Sequence, residues 1–452
     1  MDLETLILAA GKGTRMKSKL PKVLHKVGGK PMLQHVIDAA KKAGSSREVV
    51  VVGAGAELVM ENISGVEFVL QAEQLGTAHA VLSAKKKFAG SKGTVLILCG
   101  DTPLLTSNLL KNLTAAHEDS TCAATVLTAE MPDAKGYGRV IRDTDGSFEK
   151  IIEEKDATDF EKKIREVNAG VYCFDLEKLF GALEKVSNDN AQGEYYLPDV
   201  LTILKNAGEK IGAFTAEYSI ETLGINSRVQ LAAADKALRM RKEQALMEAG
   251  VTIIDPATTF IDCDVQIGQD TIVYPNTYIE GATVIGEDCA IGPDVRFDNM
   301  KVGNKVTAQF SYCHDAEILD GVTLGPYVHI RPGTVIGRNV KIGNFVEVKN
   351  SNIGEGTKLP HLQYIGDSDV GKNVNIGCGT VTCNYDGKQK FRTTIGDDAF
   401  IGCNTNLVAP VTVEAGAYTA AGSTITQNVP ENNLAIARAR QTNIDIWNDK
   451  RR

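Results

Sequence analysis

The stretch from about Val265 to Val429 constrains the fold more than any other, because it repeats. An aliphatic residue followed by Gly recurs at Ile267-Gly268, Ile285-Gly286, Ile291-Gly292, Val302-Gly303, Leu324-Gly325, Ile336-Gly337, Ile342-Gly343, Ile353-Gly354, Val370-Gly371, Ile376-Gly377, Ile395-Gly396 and Ile401-Gly402. Many of these pairs are spaced by six residues or a multiple of six. That spacing is the hexapeptide pattern of a parallel β-helix. Each hexapeptide supplies one short strand and one tight turn. The aliphatic side chain points into the coil and Gly lets the backbone turn beside it. A single coil cannot bury its apolar face, so coils must stack.

Two stretches interrupt the pattern and are expected to leave the prism as loops. They are Pro360–Tyr364, between Ile353 and Val370, and Cys383–Arg392, between Ile376 and Ile395. Loops leaving a coil commonly carry function. His361 is the chemically distinctive residue there, open between a structural histidine at a coil edge and a general base. Arg331, Lys349, Tyr364, Asn375, Asn384, Tyr385 and Lys390 lie roughly one or two coils from it, a spacing that can place polar side chains on one edge.

The first half has a different rhythm. Residues 5–10, Val49–Val52 and Val95–Cys99 read as short buried strands, and Pro31–Ala43 has helical periodicity. Continuous apolar strands alternating with amphipathic helices imply a parallel sheet covered on both faces. Ligands then bind at the carboxyl ends of strands. Gly11-Lys12-Gly13-Thr14-Arg15 follows the first strand and Gly100-Asp101 follows the third. The Gly-rich loop suits a triphosphate, through close backbone approach and the charge of Lys12 and Arg15, or is an ordinary basic strand-to-helix turn. Lys22 is open between a phosphate ligand and a surface charge. Asp101 is open between a helix or turn cap and a Mg²⁺ ligand. Asn190–Tyr196 reads as a polar loop. A helix from about Ser227 to Ala249, ended by Gly250, reads as the connector between the halves. The domains are thus expected at 1–226, 227–250 (linker helix) and 251–452.

Composition bounds the partners. A net charge of −8 argues against nucleic acid as a partner, although local basic residues can still hold phosphate. No apolar run approaches the ~20 residues that span a bilayer, and no secretory pattern is visible at the N-terminus. Nine scattered cysteines, an odd count without a C-x-x-C pair, point to free thiols in a reducing cytoplasm.

Leu8–Met16, Pro21-Lys22-Val23-Leu24, Gln71–Thr77, Gly100-Asp101 and Asn190–Tyr196, together with the repeats, resemble one family within the sugar-1-phosphate nucleotidylyltransferases. It is the family of bacterial bifunctional N-acetylglucosamine-1-phosphate uridylyltransferase/glucosamine-1-phosphate N-acetyltransferases, and the resemblance covers essentially the whole chain. It implies a Rossmann-like α/β nucleotidyltransferase domain followed by a left-handed parallel β-helix. In the first site Leu8, Ala9, Ala10, Gly11 and Arg15 would hold UTP with Gly100 nearby, and Lys22 its phosphates. Gln71, Gly76 and Thr77 would read the uracil edge. Gly138, Glu153 and Asn168 would hold the sugar, and Asp101 with Asn226 would bind Mg²⁺.

In the second site the resemblance makes His361 the general base that deprotonates the glucosamine amine. Arg331, Lys349 and Tyr364 would hold the sugar phosphate, Asn375 and Asn384 would orient the sugar, and Lys390 would add charge. Glu347 is open between orienting His361 and contacting the amine. Cys378, Tyr385, Cys403, Ala421 and Arg438 match positions lining the acetyl-CoA channel. Cys378 departs from the usual Ala and Cys403 from the usual Ser, which leaves the acetyl-CoA contact at 403 open. The C-terminal Lys450-Arg451-Arg452 reads as a solvated tail. The resemblance further implies a cytoplasmic homotrimer that acetylates first and uridylylates second. Two other readings stay open: a nucleotidylyltransferase of another sugar whose β-helix serves assembly, and a non-catalytic nucleotide-sugar-binding scaffold.

Overall fold

The computed structural model describes residues 3–444, so the expected tail at Lys450–Arg452 lies outside the described residues. The chain divides into two compact units, one ending at Leu238 and the other beginning at Arg239. The division falls inside the long helix Arg228–Glu248.

The first unit is built on a nine-stranded mixed sheet. Its strands are β1 (Leu3–Ala9), β2 (Arg47–Val52), β3 (Glu67–Leu70), β4 (Thr94–Cys99), β5 (Ala124–Glu130), β6 (Arg139–Arg142), β7 (Phe148–Ile152), β8 (Glu166–Asp175) and β9 (Ile211–Thr215). The order across the main path is β9-β5-β8-β4-β1-β2-β3, with β6 paired off β8 and β7 paired to β6. β1 runs parallel to both β2 and β4, whereas β8 is antiparallel to β4 and β5. The continuous apolar runs are explained by burial on both faces: Leu6, Ile7, Val49, Val50, Leu96 and Ile97 are fully buried. The chain moves from β1 to β2 on one side and returns to β4 on the other. The loops after β1 and β4 therefore open at the switch point of the sheet, where ligands bind in such folds.

The second unit is a left-handed parallel β-helix. Three ladders of short parallel strands run along it, and aliphatic residues fill the interior. One ladder places Ile267, Ile285, Val302, Ile318, Ile336, Ile353, Val370, Ile395 and Val413 on successive rungs. The step from Ile353 to Val370 is thus one ordinary coil, and the expectation that Pro360–Tyr364 leaves the prism is corrected. That segment lies in a nine-residue strand, β11 (Lys358–Gly366), paired in register with β10 (Lys341–Lys349). The pattern was broken only because Leu359-Pro360 stands opposite Ile342-Gly343: the inward aliphatic residue is kept and Gly is not. The second interruption does leave the coil. Phe391 N–H donates to Asn384 O at 2.9 Å, and Tyr385 bridges Lys390, closing a small hairpin.

Asn and Asp occupy many corners in the left-handed backbone region, as Asp270, Asn276, Asp288 and Asp294 do. On four consecutive coils the corner residue is large and apolar instead. Phe310, Tyr327, Phe345 and Leu362 all have positive φ and all are exposed. Tyr327 stacks on Phe345 with centroids 5.2 Å apart.

Because the coil interior is close-packed, deleting buried methylenes there leaves a cavity. Ile291 is fully buried in this core. Ile291→Ala is expected to destabilise the β-helix by ~2–5 kcal/mol, read from the midpoint of its denaturant unfolding transition.

Candidate functional site

In the first unit a cleft of about 510 Å³ opens between the loop after β1 and the strand end at Asp101. Leu8, Ala9, Ala10, Gly11, Lys22, Gln71, Gly76, Thr77 and Asp101 line it. Buried Met16 anchors the turn that carries exposed Arg15. Gly13 has φ +60°, and a Cβ there would meet Lys22 Cβ at 2.7 Å, so only Gly allows the loop to pass this close to Lys22. The Lys22 ammonium is bonded to Asp101 Oδ2 and, at 3.0 Å, to Asn226 Oδ1. Two oxygen donors from distant parts of the sequence therefore converge on one cation.

Gln71 is buried, and its amide donates to Gly76 O at 3.2 Å and meets His79 Nδ1 at 3.0 Å, which fixes its plane. Gly76 packs against the polar loop: a Cβ there would lie 2.5 Å from Tyr195 O. Leu197 N–H donates to Thr77 Oγ1 at 2.9 Å. Gly138, Glu153 and Asn168 also meet. Asn168 N–H donates to Gly138 O at 2.9 Å, and a Cβ on Gly138 would touch Glu153 Oε1 at 3.2 Å. Asn168 Oδ1 accepts from Gly170 N–H and its amide donates to Tyr172 OH at 2.7 Å, so its orientation is set. Burial, reinforced by Asp156 and Asp199, pushes the Glu153 carboxyl above its usual range.

In the β-helix, register does the assembling. Asn344 pairs with His361. The pairings on either side of the next corners, Lys358 with Asn375 and Tyr364 with Val381, place Cys378 opposite His361. In the same way Ile376 with Ile401 and Val381 with Asn406 align Cys378 with Cys403, and the following coil brings Ala421 under Cys403. Asn344, His361, Cys378, Cys403 and Ala421 thus form one row along a corner. Arg438 approaches its end, with Cδ 3.8 Å from where a Gly422 Cβ would be. Tyr385 projects, exposed, from the hairpin, and Asn375 lies on the strand entering the Cys378 corner.

His361 Nδ1 lies 2.9 Å from Asn344 Oδ1. The carbonyl oxygen accepts, so Nδ1 carries the hydrogen and Nε2 keeps the basic lone pair. Glu347 does not orient His361; it pairs with Arg331 at 2.7 Å. Asn344 was missed in the sequence, although it stands one coil before His361.

On the adjoining face a second missed residue, buried Asp367, organises the cations. It accepts from Asn350 Nδ2 at 2.5 Å and from Asn384 Nδ2, and lies 4.0 Å from Lys349 Nζ. Burial alone would raise its carboxyl, but those hydrogen bonds and the charges of Lys349 and Lys390 hold it below the usual range. Asn384 Nδ2 also reaches Tyr364 OH at 3.5 Å. Lys390, in hydrogen-bond contact, and then burial pull the Lys349 ammonium below its usual value.

Residues 5–192 match the family model of the MobA-like NTP transferase domain, and 264–299 with 315–350 match the bacterial transferase hexapeptide repeats. Full-length relatives carry both parts. Proteins described as "Bifunctional protein GlmU" from Halalkalibacterium halodurans and Clostridium beijerinckii are each 53% identical, covering 99% of this chain and 98% of their own. One from a Geobacillus species is 54% identical over 98% of this chain and 97% of its own. The chain belongs to the GlmU family. It is a bifunctional transferase, a nucleotidyltransferase joined to an N-acetyltransferase, in UDP-N-acetylglucosamine synthesis. Among the described residues no helix is long and apolar enough to cross a membrane.

As a GlmU-type acetyltransferase, the second unit should depend on Asn344 only through the ring it holds. Asn344→Ala is expected to lower kcat for acetyl transfer by about 10–100-fold, the size of a lost orienting partner, with uridylyl transfer unchanged. Loss of both activities in coupled steady-state assays would contradict this positioning role.

Proposed function

We propose that the two polar sets are the two active sites of UDP-N-acetylglucosamine synthesis. Acetyl transfer to glucosamine-1-phosphate comes first and uridylyl transfer from UTP second. The observation that carries this reading is His361, an oriented base set beside a cation cluster. A β-helix serving assembly alone has no use for that arrangement.

At the β-helix site Arg331, Lys349 and Lys390 take the sugar phosphate, and Tyr364, Asn375 and Asn384 position the sugar. His361 Nε2 accepts a proton from the substrate ammonium, and the free amine attacks the thioester carbonyl. The thioester lies along the corner of Cys378, Cys403 and Ala421, with Tyr385 and Arg438 for the rest of coenzyme A.

At the first site a phosphate oxygen of N-acetylglucosamine-1-phosphate attacks the α-phosphorus of UTP, and pyrophosphate leaves in line. The nucleophile is already ionised, so no base is needed and positioning supplies most of the rate. Gly138, Glu153 and Asn168 hold the sugar. Gln71, Gly76 and Thr77 hold the base. Leu8 to Gly11, Arg15, Gly100 and Lys22 hold the nucleotide. Asp101 and Asn226 already share one cation between two hard oxygen donors, a set that fits Mg²⁺. Bound there, Mg²⁺ neutralises charge on the phosphates. This metal pair also argues against a non-catalytic scaffold.

The exposed ladder Phe310, Tyr327, Phe345 and Leu362 runs beside His361. Covering it with further copies supports a homotrimer with each acetyl-transfer site where β-helices meet. The reading places the enzyme in the cytoplasm, with small molecules as its other partners.

Two separate assays test the assignment: acetyl transfer from acetyl-CoA to glucosamine-1-phosphate, and pyrophosphate release from UTP with Mg²⁺ and supplied N-acetylglucosamine-1-phosphate. His361→Ala should lose acetyl transfer alone. Asp101→Ala or chelation of the metal should abolish pyrophosphate release alone. An intact protein that releases pyrophosphate but transfers no acetyl group would return the β-helix to an assembly role. A pH profile tests the cation cluster. Asp367→Asn removes the negative charge that supports the Lys349 ammonium, so Lys349 loses its proton at lower pH. The rise in KM for the sugar phosphate at alkaline pH should therefore begin at lower pH than in the parent enzyme.

A further inference from the structure

Cys378 and Cys403 stand opposite each other on consecutive coils. The alignment is held on both sides of the corner, by Ile376 with Ile401 and by Val381 with Asn406. The coils are bonded there by Gly377 N–H to Ile401 O and Asn404 N–H to Cys378 O, both 2.7 Å. Parallel strands so bonded lie about 4.8 Å apart, inside the Cα separation that a disulfide spans. Among the described residues Cys403 is the only exposed cysteine, and Cys378 is half-buried. His361, with its Nε2 lone pair free of the Asn344 bond, stands on the coil before Cys378. Five of the other thiols are poorly placed to compete. Burial pushes Cys99 and Cys313 up to about 12 and also raises Cys173, Cys289 and Cys383.

We propose that Cys378 and Cys403 form a thiol–disulfide exchange site that is oxidised by a low-molecular-weight disulfide, with His361 as its base. The exposed Cys403 meets the incoming disulfide first. Its sulfur bonds to one sulfur of the oxidant, the S–S bond breaks, and the departing thiolate takes up the Cys403 proton. His361 Nε2 then removes the Cys378 proton, and the Cys378 thiolate attacks Cys403 Sγ in the mixed disulfide. A Cys378–Cys403 bond forms and the second thiol leaves, taking the proton back from His361. The pair loses two hydrogen atoms and the oxidant becomes two thiols. The disulfide ties two coils together covalently beneath His361, shifts the backbone of that corner towards the usual disulfide spacing, and removes both thiols from the row proposed for acetyl-CoA. That consequence rests on the acetyl-CoA reading of the corner; the exchange itself does not.

Coenzyme A disulfide is the probe, because its thiol half is the group this row is proposed to receive. The reduced full-length protein is incubated with it, mapped by mass spectrometry and assayed for both activities. The expected result is a peptide pair joined through Cys378 and Cys403. Acetyl transfer should fall by about 100-fold, the scale on which small displacements act, uridylyl transfer should be unchanged, and dithiothreitol should restore the loss. Cys378→Ala should stall with one coenzyme A held on Cys403. A coenzyme A adduct that persists on Cys403 in the unaltered protein, a bond to Cys383 instead, or two thiols that remain open to alkylation would each overturn the proposal. A Cys378–Cys403 bond with acetyl transfer intact supports the exchange site and overturns the acetyl-CoA reading of the corner.

Discussion

Backbone hydrogen bonding between stacked coils is the constraint on which the second unit depends. Each coil lays its residues on those of the coil before, so a side chain's neighbours are set by the length of a coil rather than by chain proximity. Asn344, His361, Cys378, Cys403 and Ala421 are far apart in sequence, and the register alone makes them a row. The aliphatic interior holds that register, because a one-residue slip would turn Ile342, Leu359, Ile376 and Ile401 outward. Core packing and site geometry are therefore one requirement. The same strands that bury the aliphatic residues inward hold Lys349 and Tyr364 on the outer face, and Arg331 follows directly on one of them.

In the first unit a mixed sheet reverses its strand order beside β1, and the reversal leaves a cleft where two parallel strand ends meet. Gly13 permits the loop to approach Lys22, and Gly76 permits Tyr195 to cover the Thr77 turn. Asp101 and Asn226 are brought to one point by Lys22, whose ammonium relieves the repulsion and dehydration that a convergent pair of oxygens would otherwise suffer. Both units thus build a charged site on the edge of a rigid apolar frame, and in each the side chains proposed to meet substrate are held by a neighbouring residue: Asn168 by Tyr172, His361 by Asn344, Lys349 by Asp367.

Much of this was legible from residue order. The twelve aliphatic-Gly pairs carried the β-helix, and the apolar runs with their Gly-rich ends carried the sheet and the end at which its cleft opens. Where a resemblance supplied residues, the cleft and the corner do bring together Lys22, Asp101 and Asn226, and His361, Cys378, Cys403 and Ala421. The reading failed where a coil kept its length but not its signature. Leu359-Pro360 hid an ordinary coil and made β11 look like a loop. It also failed for Asp367 and Asn344, which resemble the Asn and Asp of any β-helix corner until register shows which neighbours they meet.

The sequence by itself determined the two architectures, because burial demands a period: near-continuous apolar strands between helices in one half, and six-residue steps in the other. It also determined which residue types were available for each chemistry. Only the tertiary structure decided which of them meet. Hydrogen-bonded register and strand order act between residues widely separated along the chain, and neither leaves a local trace. That is why the partner of His361, the counter-charge of Lys349 and the pairing of two cysteines on neighbouring coils became visible only in three dimensions.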